Sequence, residues 1–398
     1  MARDKYLVGI DAGTSKICAA AGCVEKDGSA KIIAVASGRS RGLKNGMVVD
    51  LAEATESVKS VVEELEERAG IKVHSAIVGM GGDHVHGQNT TGVITIADGE
   101  IRGRDMRHAM ELAQTVPMPL ERRPLHVISQ GYVIDGLEGV ADPRQMHGTR
   151  LEAHLHIITV LVSRARNIAR CVHGAGLAVE SVVFSTLASS YSVLTQEEKR
   201  LGITLIDLGG GTTNILSFAD GKIKYTEVIP WGGDTLTELI SRKFKVNEET
   251  AAVLKERYGS VQLEPRYERE KVHWHDEETE DSVILRGELT RAIRSEIEEL
   301  LRKIKDKLDA GNCAGGSTYG LVLTGGTSVL DGVLEFAEEK LGMPVRLGLP
   351  RGFESESQQI YNPGYAAGLG LLRYSAQNRV SIKINPVSWF VRVFEDYF

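Results

Sequence analysis

Apolar and polar positions alternate from residue 6 onward in a pattern that predicts short β-strands separated by turns. The first predicted strands are Val8–Ile10, Ile17–Cys23 and Lys31–Ser37, and a fourth, Val73–Val78, follows a helix. That helix is predicted over Ala52–Gly70, because apolar residues recur along one stripe and Gly70 favours a helix end. Three strands, a helix and a further strand predict an α/β lobe.

The pattern changes between Gly82 and Leu161, where the predicted strands are short and surround a single helix. These elements are the strands Gly92–Ile96, Leu125–Tyr132 and Leu155–Val162 and the helix Arg104–Thr115. Pro117 and Pro119 end the helix, because proline lacks the N–H that a helix interior needs. The change predicts a small inserted subdomain.

Helices Ala165–Ala175 and Ser185–Leu194 lead from the insertion to a second lobe, whose first strand begins at Ile203. Further helices are predicted over Thr235–Phe244, Glu248–Tyr258 and Gly287–Ala310. The strongly charged stretch Tyr267–Asp281 is predicted to be an exposed loop.

Three apolar strands each end in a glycine turn that carries hydroxyl side chains. The turns lie in Tyr6–Lys16, Leu205–Asn214 and Gly320–Ser328, and the first two begin with an aspartate. Glycine lets backbone N–H groups approach a polyphosphate, because it has no side chain and tolerates positive φ. Any one of these turns is common at a strand end. Together they predict an internal duplication in which two lobes grip one nucleotide.

Asp11 and Asp207 stand at the ends of the first two of these strands. Mg²⁺ prefers oxygen ligands and keeps several of its waters. Both carboxylates are therefore predicted to meet the Mg²⁺ that accompanies the phosphates, through water.

Composition limits the possible functions without selecting one. The 398 residues are 42% hydrophobic and 25% charged, which is typical of a globular protein with more than one core. A formal net charge of −7 argues against nucleic-acid binding. Four scattered cysteines, no signal-peptide pattern and no long apolar run favour a cytoplasmic protein.

Histidines are the only candidates for a transition-metal site. His154 and His156 share one face of a predicted strand, and His273 and His275 have the same spacing in the charged stretch. A packing or surface role is predicted for His154 and His156, because no acidic or thiol ligand is patterned with them. His273 and His275 have acidic neighbours and could bind a metal, but an exposed loop is the favoured interpretation.

The chain resembles the actin-like ATPases: Asp11–Lys16 resembles the first phosphate loop, Leu205–Thr213 the second and Thr324–Ser328 the adenosine loop. More narrowly it resembles the FtsA family, bacterial cell-division proteins that tie FtsZ to the inner membrane. This closer resemblance lies in Leu187–Leu194, the run into Asp207, Val228–Pro230 and an amphipathic tail.

The resemblance implies an α/β, actin-like two-lobe ATPase fold with an inserted small subdomain of the 1C type and a C-terminal amphipathic helix. The implied division is 1–82 and 163–200 for lobe 1 (1A), 83–162 for 1C, 201–227 and 311–360 for the lobe 2 core (2A), 228–310 for 2B, 361–376 for a return helix to 1A, 377–385 for a linker and 386–398 for the membrane-targeting helix.

It also implies ATP and Mg²⁺ as ligands. The expected nucleotide-binding residues are Asp11, Gly13, Thr14, Ser15, Lys16, Asp207, Gly209, Gly210, Gly211, Thr212, Thr213, Lys255, Gly325, Gly326, Thr327 and Ser328. For Lys255 a solvated surface position is an equally good expectation.

The family's partners are FtsZ, the membrane, further copies of the same chain and later division proteins. The 2B subdomain receives the C-terminal peptide of FtsZ, and Arg286 and Arg291 are the candidate residues here, since basic groups suit a peptide acid. The 1C insertion is expected to provide filament contacts and to bind later division proteins.

The tail has the composition of an interfacial membrane helix. Eight of the twelve residues from Val387 to Phe398 are large and apolar. The residues expected to enter the membrane are Val387, Trp389, Phe390, Val391, Phe394 and Phe398. Burying about five such side chains yields roughly 8–12 kcal/mol, and ordering twelve residues costs a similar amount, at about 1 kcal/mol each. A single tail should therefore bind weakly, and a filament would add avidity. The alternative is a tail that packs on its own body or on a neighbour.

Hydrolysis is expected to be slow, if it occurs at all. At the cleft floor, where relatives position the attacking water with a carboxylate or glutamine, this chain has Ser185–Ala188, and Asn214 stands where the second loop often carries Asp. Two alternatives share the fold: an actin-like pilus-assembly adaptor, and a sugar or acetate kinase. Neither would need the apolar tail.

Overall fold

The structure is a computed structural model that describes residues 6–24, 30–262, 264–265, 268–276, 279–311, 320–354 and 358–379. The predicted membrane-targeting helix over 386–398 lies outside these residues. No helix in the described part of the chain combines the length and the apolar character needed to cross a membrane.

The first lobe begins with the strands β1 (Leu7–Ala12), β2 (Lys16–Val24) and β3 (Ala30–Arg39), the short strands β4 (Leu43–Lys44) and β5 (Met47–Val48), helix α1 (Leu51–Ala69) and strand β6 (Ser75–Met80). The insertion contains β7 (His86–Thr95), α2 (Gly103–Gln114), β8 (Arg122–Ile134), β9 (Leu137–Val140) and β10 (Arg150–Leu161). The chain then returns through α3 (Val162–Gly174), β11 (Ala178–Phe184), α4 (Ser185–Val193) and α5 (Gln196–Leu201).

The second lobe contains β12 (Ile203–Leu208), β13 (Thr213–Ala219), β14 (Lys222–Ile229), α6 (Gly233–Phe244), α7 (Glu248–Tyr258), β15 (Lys271–Asp276), β16 (Thr279–Leu285), α8 (Arg286–Ala310), β17 (Leu321–Thr324), α9 (Val333–Leu341) and β18 (Val345–Leu347). Helix α10 (Ala366–Arg379) returns to the first lobe, where it packs on α4, β1 and β2.

Each lobe is built on its own five-stranded sheet, and the two sheets have the same topology. The strand order is β11-β6-β1-β2-β3 in the first lobe and β18-β17-β12-β13-β14 in the second. In each sheet the first three strands in sequence pair antiparallel, and the last two add in parallel beside the first strand. The duplication and the two-lobe α/β fold predicted from the glycine turns are therefore confirmed.

Helix α1 shows how local sequence sets an element of this fold. The Asp50 carboxylate accepts a hydrogen bond from the Glu53 N–H (2.9 Å) and caps the helix start. Gly70 ends the helix at φ = 64°, a left-handed conformation that costs glycine little. The stripe of Val58, Val61 and Leu65 is buried against the first sheet.

The insertion forms its own four-stranded sheet, in the order β7-β10-β8-β9, with α2 covering one face. A separate apolar cluster, which includes Ile94, Ala109 and Leu151, fills the space between α2 and the sheet. The other face packs against β14, the edge strand of the second lobe's sheet, and Ile158 on this face joins the apolar cluster that contains Ala165 of α3 and Leu187 of α4.

Polar side chains join the insertion to that edge strand. His156 is 1% exposed and lies between Asn89 and Thr226, which belongs to β14. Burial lowers the pKa of His156 to about 4, so the ring is neutral. Its Nδ1–H donates to Asn89 Oδ1 (2.7 Å), and Nε2 accepts from the Thr226 hydroxyl (2.8 Å). The packing role predicted for His156 matches this geometry.

The predicted loop over Tyr267–Asp281 was wrong for most of its length, because β15 and β16 form an antiparallel hairpin there. Val272 is 2% exposed and Trp274 packs against the second lobe's core, so alternate residues of β15 face inward. Only these two apolar residues carry the two-residue period, and the surrounding charges obscured it. Helix α10 also continues three residues into the predicted linker, to Arg379.

We predict that His156→Ala destabilises the protein by about 2–4 kcal/mol, because Asn89 and Thr226 each lose a buried partner. Chemical denaturation measures the change, and His154→Ala is the matched control. His154 lies two residues away with a side chain 36% exposed, and its loss should cost far less. Equal effects of the two substitutions would contradict the bridging role of His156.

Candidate functional site

The first two glycine turns have the same backbone geometry. Asp11 and Asp207 occupy equivalent places near the ends of β1 and β12. Two residues later, the Gly13 N–H donates to Lys16 O (3.1 Å) and the Gly209 N–H donates to Thr212 O (3.0 Å). A Cβ on Gly13 would lie 2.7 Å from that carbonyl oxygen, so the closeness of the turn requires glycine.

These two turns touch each other between the lobes. A Cβ on Gly210 would collide with the Ser15 hydroxyl, and a Cβ on Gly211 would lie 2.6 Å from Thr14 Oγ1. The Thr14 hydroxyl accepts a hydrogen bond from the Gly46 N–H (2.9 Å) in the β4–β5 hairpin. Residues predicted from separate parts of the sequence therefore form one continuous floor.

The third turn joins the same site from the second lobe. The Thr327 hydroxyl donates to Gly209 O (3.0 Å), and Ser328 Oγ donates to Gly325 O (2.7 Å). Gly325 has φ = 86°, and any side chain there would collide with the Asp207 carboxylate. Gly326 faces open space. All three predicted turns thus converge.

Lys255 reaches this region through helix α6. Its ammonium group donates to Gly233 O (3.0 Å) and to Thr237 Oγ1 (2.8 Å), and burial lowers its pKa. The Gly233 N–H in turn donates to Gly209 O (2.9 Å). The solvated position considered for Lys255 does not occur in this structure, because the ammonium group packs against the helix behind the second turn.

Two half-buried carboxylates, Asp11 and Asp207, lie within electrostatic reach of each other at the centre of the site. Burial raises the pKa of Asp11, and the Ser185 hydroxyl, which donates to Asp11 Oδ1 (2.6 Å), opposes that rise. Burial and then the charge of Asp11 raise the pKa of Asp207 to about 6, while the Ser189 hydroxyl (3.1 Å from Oδ2) opposes the rise. Both carboxylates are therefore held in a setting that disfavours their charge.

A magnesium ion with its waters fits this pair. The donors are carboxylate oxygens, and a divalent cation would offset the repulsion between them. No group of three or more His, Cys, Asp or Glu side chains forms a metal cage within the described ranges. Asp11 and Asp207 would therefore hold the ion only in part, as Mg²⁺ bound mainly to phosphates and water requires.

Ser185 and Ser189 were missed as site residues in the sequence. Both lie on α4, which runs beneath the two carboxylates with nearly all of its residues buried. The signal was the run of small residues in this helix, which indicates close packing but not hydrogen bonding to aspartates.

Arg286 and Arg291 lie on α8, far from the nucleotide turns in the chain, and each already has an acidic partner. Arg286 pairs with Glu270 (2.9 Å) and Arg291 with Glu268 (3.0 Å). Arg286 also borders a small surface cleft that is partly open to solvent. The cleft is lined by Ser260, Gln262, Glu264, Arg286, Gly287, Thr290 and Asp331.

Two lobes of equal topology, with three glycine turns converging between them, define an actin-like ATPase fold. The family described as "Cell division protein FtsA" matches residues 204–370, and the "SHS2 domain inserted in FTSA" matches residues 82–159. The cell division protein FtsA of Pseudomonas aeruginosa is 38% identical over 377 residues, which are 94% of this chain and 90% of that protein. The chain therefore belongs to the FtsA family of cell-division proteins.

Other similarities agree with this assignment. FtsA of Escherichia coli K12 is 32% identical over 392 residues, covering 95% of this chain and 92% of that protein. The fold is similar to that of the PilM-PilN type IV pilus biogenesis complex (TM-score 0.69, 18% identity, 93% and 98% of the two chains). It is also similar to MreB 5 of Spiroplasma citri bound to AMPPNP (0.57, 12%, 96% and 99%) and to the MamK double helical filament (0.53, 11%, 93% and 98%).

We predict that Asp207→Asn stabilises the protein at pH 8 without nucleotide or metal, and that the gain shrinks on acidification. The folded pKa of about 6 exceeds the unfolded value of 3.8. Asp207 therefore favours folding most below pH ~4 and loses that contribution as the pH rises through ~6. The gain above that range should be on the order of 2–3 kcal/mol.

Thermal unfolding from pH 4 to pH 8 in EDTA measures this effect. Asp220→Asn is the control, because its side chain is 81% exposed. A stability difference between Asp207→Asn and wild type that does not change with pH would contradict the assignment.

Proposed function

We propose that this protein binds ATP with Mg²⁺ between its lobes, polymerises, and tethers FtsZ filaments to the membrane at the division site. The observation that carries the nucleotide part is the close contact between the two glycine turns that follow Asp11 and Asp207. The AMPPNP-bound MreB 5 with a similar fold supports this proposal. Thr14, Ser15, Lys16 and Thr212 would contribute polar groups around the phosphates. Thr213 would not, because it is fully buried and its hydroxyl donates to Trp231 O (2.9 Å).

Within this proposal the nucleotide acts mainly as a switch, and its hydrolysis is slow. The start of α4 brings the Ser185 and Ser189 hydroxyls to the carboxylates, and both serines donate to Asp11 or Asp207. A serine engaged in this way is a poor general base for an attacking water. ATP would then serve to hold the lobes together and to favour assembly.

Polymerisation gives the weak tail its effect. Twelve residues that bind a bilayer with little net free energy become an effective anchor when many copies are linked in a filament. The double helical filament formed by MamK, which has the same fold, supports assembly by this chain. On the basis of family membership, we also propose that the protein lies at the cytoplasmic face of the inner membrane and that the insertion recruits later division proteins.

For FtsZ we propose a docking surface around Arg286 and Arg291. Both ion pairs of these residues are at least partly exposed, so exchanging Glu268 or Glu270 for an acid of the peptide costs little. The adjacent cleft carries both signs of charge, with Arg286 near Glu264 and Asp331. It suits a peptide that presents an acid together with a donor group.

Family membership separates this proposal from the two alternatives. The similarity to the pilus complex is at 18% identity and concerns the fold alone. The identity of 38% to a cell-division protein extends over nearly the whole chain.

Co-sedimentation with liposomes tests the tether. We expect the full chain to pellet with vesicles much more in ATP–Mg²⁺ than without nucleotide, and a chain ending at Asn385 to remain in solution. Vesicles with and without anionic lipid separate apolar insertion from charge attraction. Equal pelleting of the two chains, or no pelleting of either, would contradict the membrane part of the proposal.

Peptide binding tests the FtsZ surface. We expect Arg286→Ala and Arg291→Ala each to weaken binding of the FtsZ C-terminal peptide roughly tenfold, the size of a lost charge-assisted hydrogen bond. Fluorescence anisotropy with a labelled peptide measures the affinity. Arg302→Ala is the matched control, since Arg302 lies on the same helix and pairs only with Glu299 and Asp306 there. Unchanged affinity in both test variants would move the docking surface elsewhere.

A further inference from the structure

The ammonium group of Lys16 lies over the face of an aromatic ring. Its Nζ is 4.2 Å from the centroid of the Tyr365 ring, well within the range of a cation–π interaction. Lys16 follows the first phosphate turn, whereas Tyr365 ends the short turn Pro363–Tyr365 that leads the chain back from the second lobe into α10. The contact therefore links the first turn to one of the two places where the chain crosses between lobes.

The ring that holds the lysine is itself fixed from several sides. The Tyr365 hydroxyl is hydrogen-bonded to Ser37 Oγ (2.9 Å) on β3, and the ring packs against the apolar cluster that includes Leu7 and Ile32. The Tyr365 N–H donates to Asn362 O (3.0 Å). A ring held in this way provides a rigid surface for a flexible lysine.

Gly364 keeps the space that the ammonium group occupies. A Cβ at this position would lie 2.6 Å from Lys16 Nζ, closer than two such atoms can approach. The Gly364 N–H donates to the Asn362 side chain (2.8 Å), which holds the backbone in place. Any side chain at residue 364 would push the end of Lys16 away from the ring.

The lysine is placed to act on the cleft. Its own carbonyl oxygen closes the first turn by accepting from the Gly13 N–H (3.1 Å), and the preceding residue, Ser15, contacts Gly210 of the second turn. Within the described ranges no acidic side chain is within 4.0 Å of Lys16 Nζ. A lysine that rests on a ring, without a carboxylate partner, keeps its charge available for an anion.

We propose that Tyr365 is a positioning residue for the phosphates of the nucleotide, which holds the Lys16 ammonium group in the orientation that binds them. This inference rests on the proposed nucleotide site and adds a residue to it. Tyr365 touches the lysine and not the nucleotide, and it spares Lys16 the loss of side-chain freedom on binding. Tyr365 would also connect the phosphate-binding lysine to the segment before α10, where the chain passes from the second lobe to the first.

Calorimetric titration of the full chain with ATP–Mg²⁺ and with AMP tests this role. We expect Tyr365→Leu to weaken ATP binding roughly three- to tenfold, the size of a partly buried cation–π contact. Binding of AMP should change much less, because fewer phosphate charges depend on the lysine. Tyr365→Phe keeps the ring and should restore most of the ATP affinity. Tyr361→Leu is the matched control, a nearby tyrosine that is 44% exposed.

Two further variants connect the effect to Lys16. In a Lys16→Met background, Tyr365→Leu should weaken ATP binding no further, since the two residues act as one unit. Gly364→Ala should weaken ATP binding while leaving the ring in place, and it carries the test if Tyr365→Leu does not fold.

The outcomes separate this inference from the function on which it rests. A wild-type chain that binds no ATP overturns both. A wild-type chain that binds ATP, with Tyr365→Leu and Gly364→Ala equal to it or tighter, overturns only the role of Tyr365. Equal losses for ATP and AMP would show a structural effect and would also overturn it.

Discussion

The contact between the two glycine turns that follow Asp11 and Asp207 is the constraint on which the rest of the structure depends. Gly210 and Gly211 approach Thr14 and Ser15 so closely that no side chain fits at either glycine. This approach fixes the distance between the ends of the two sheets, and thereby between the lobes. The third turn, the start of α6 and the serines of α4 are all bonded to one of these two turns or to the aspartates that precede them.

Bringing the turns together also brings two carboxylates into a buried space, at a cost in stability. Ser185, Ser189 and the charge of Lys16 offset part of that cost, yet the pKa of each aspartate stays raised. A site that is unfavourable when empty gains most from a bound cation, because the ion relieves both burial and repulsion. The arrangement that weakens the empty fold is thus the one that would favour the proposed metal–nucleotide ligand.

The insertion is tied to both lobes, although the chain joins it only to the first. His156, Asn89 and Gln130 of the insertion form hydrogen bonds with β14, at the edge of the second sheet. These bonds hold the insertion against the sheet of the second lobe, in addition to its covalent connections to the first.

Local chemistry explains how much of this could be predicted from the sequence alone. The glycine turns, the helix ended by Gly70 and the long apolar stripe of α8 each depend on a few neighbouring residues, so the sequence determined them, together with the duplication and the family. The hairpin in the charged stretch was missed, because Val272 and Trp274 are the two apolar residues of β15 and only a folded core distinguishes them from their charged neighbours. The side chains that meet come from separate parts of the chain. His156 and Thr226 are 70 residues apart, and Lys16 and Tyr365 are 349 residues apart. Ser185 is 174 residues from Asp11, and Ser189 is 18 residues from Asp207. Only the tertiary structure decided which of these side chains meet, because hydrogen bonds and ring contacts of this kind leave no periodic pattern in the sequence.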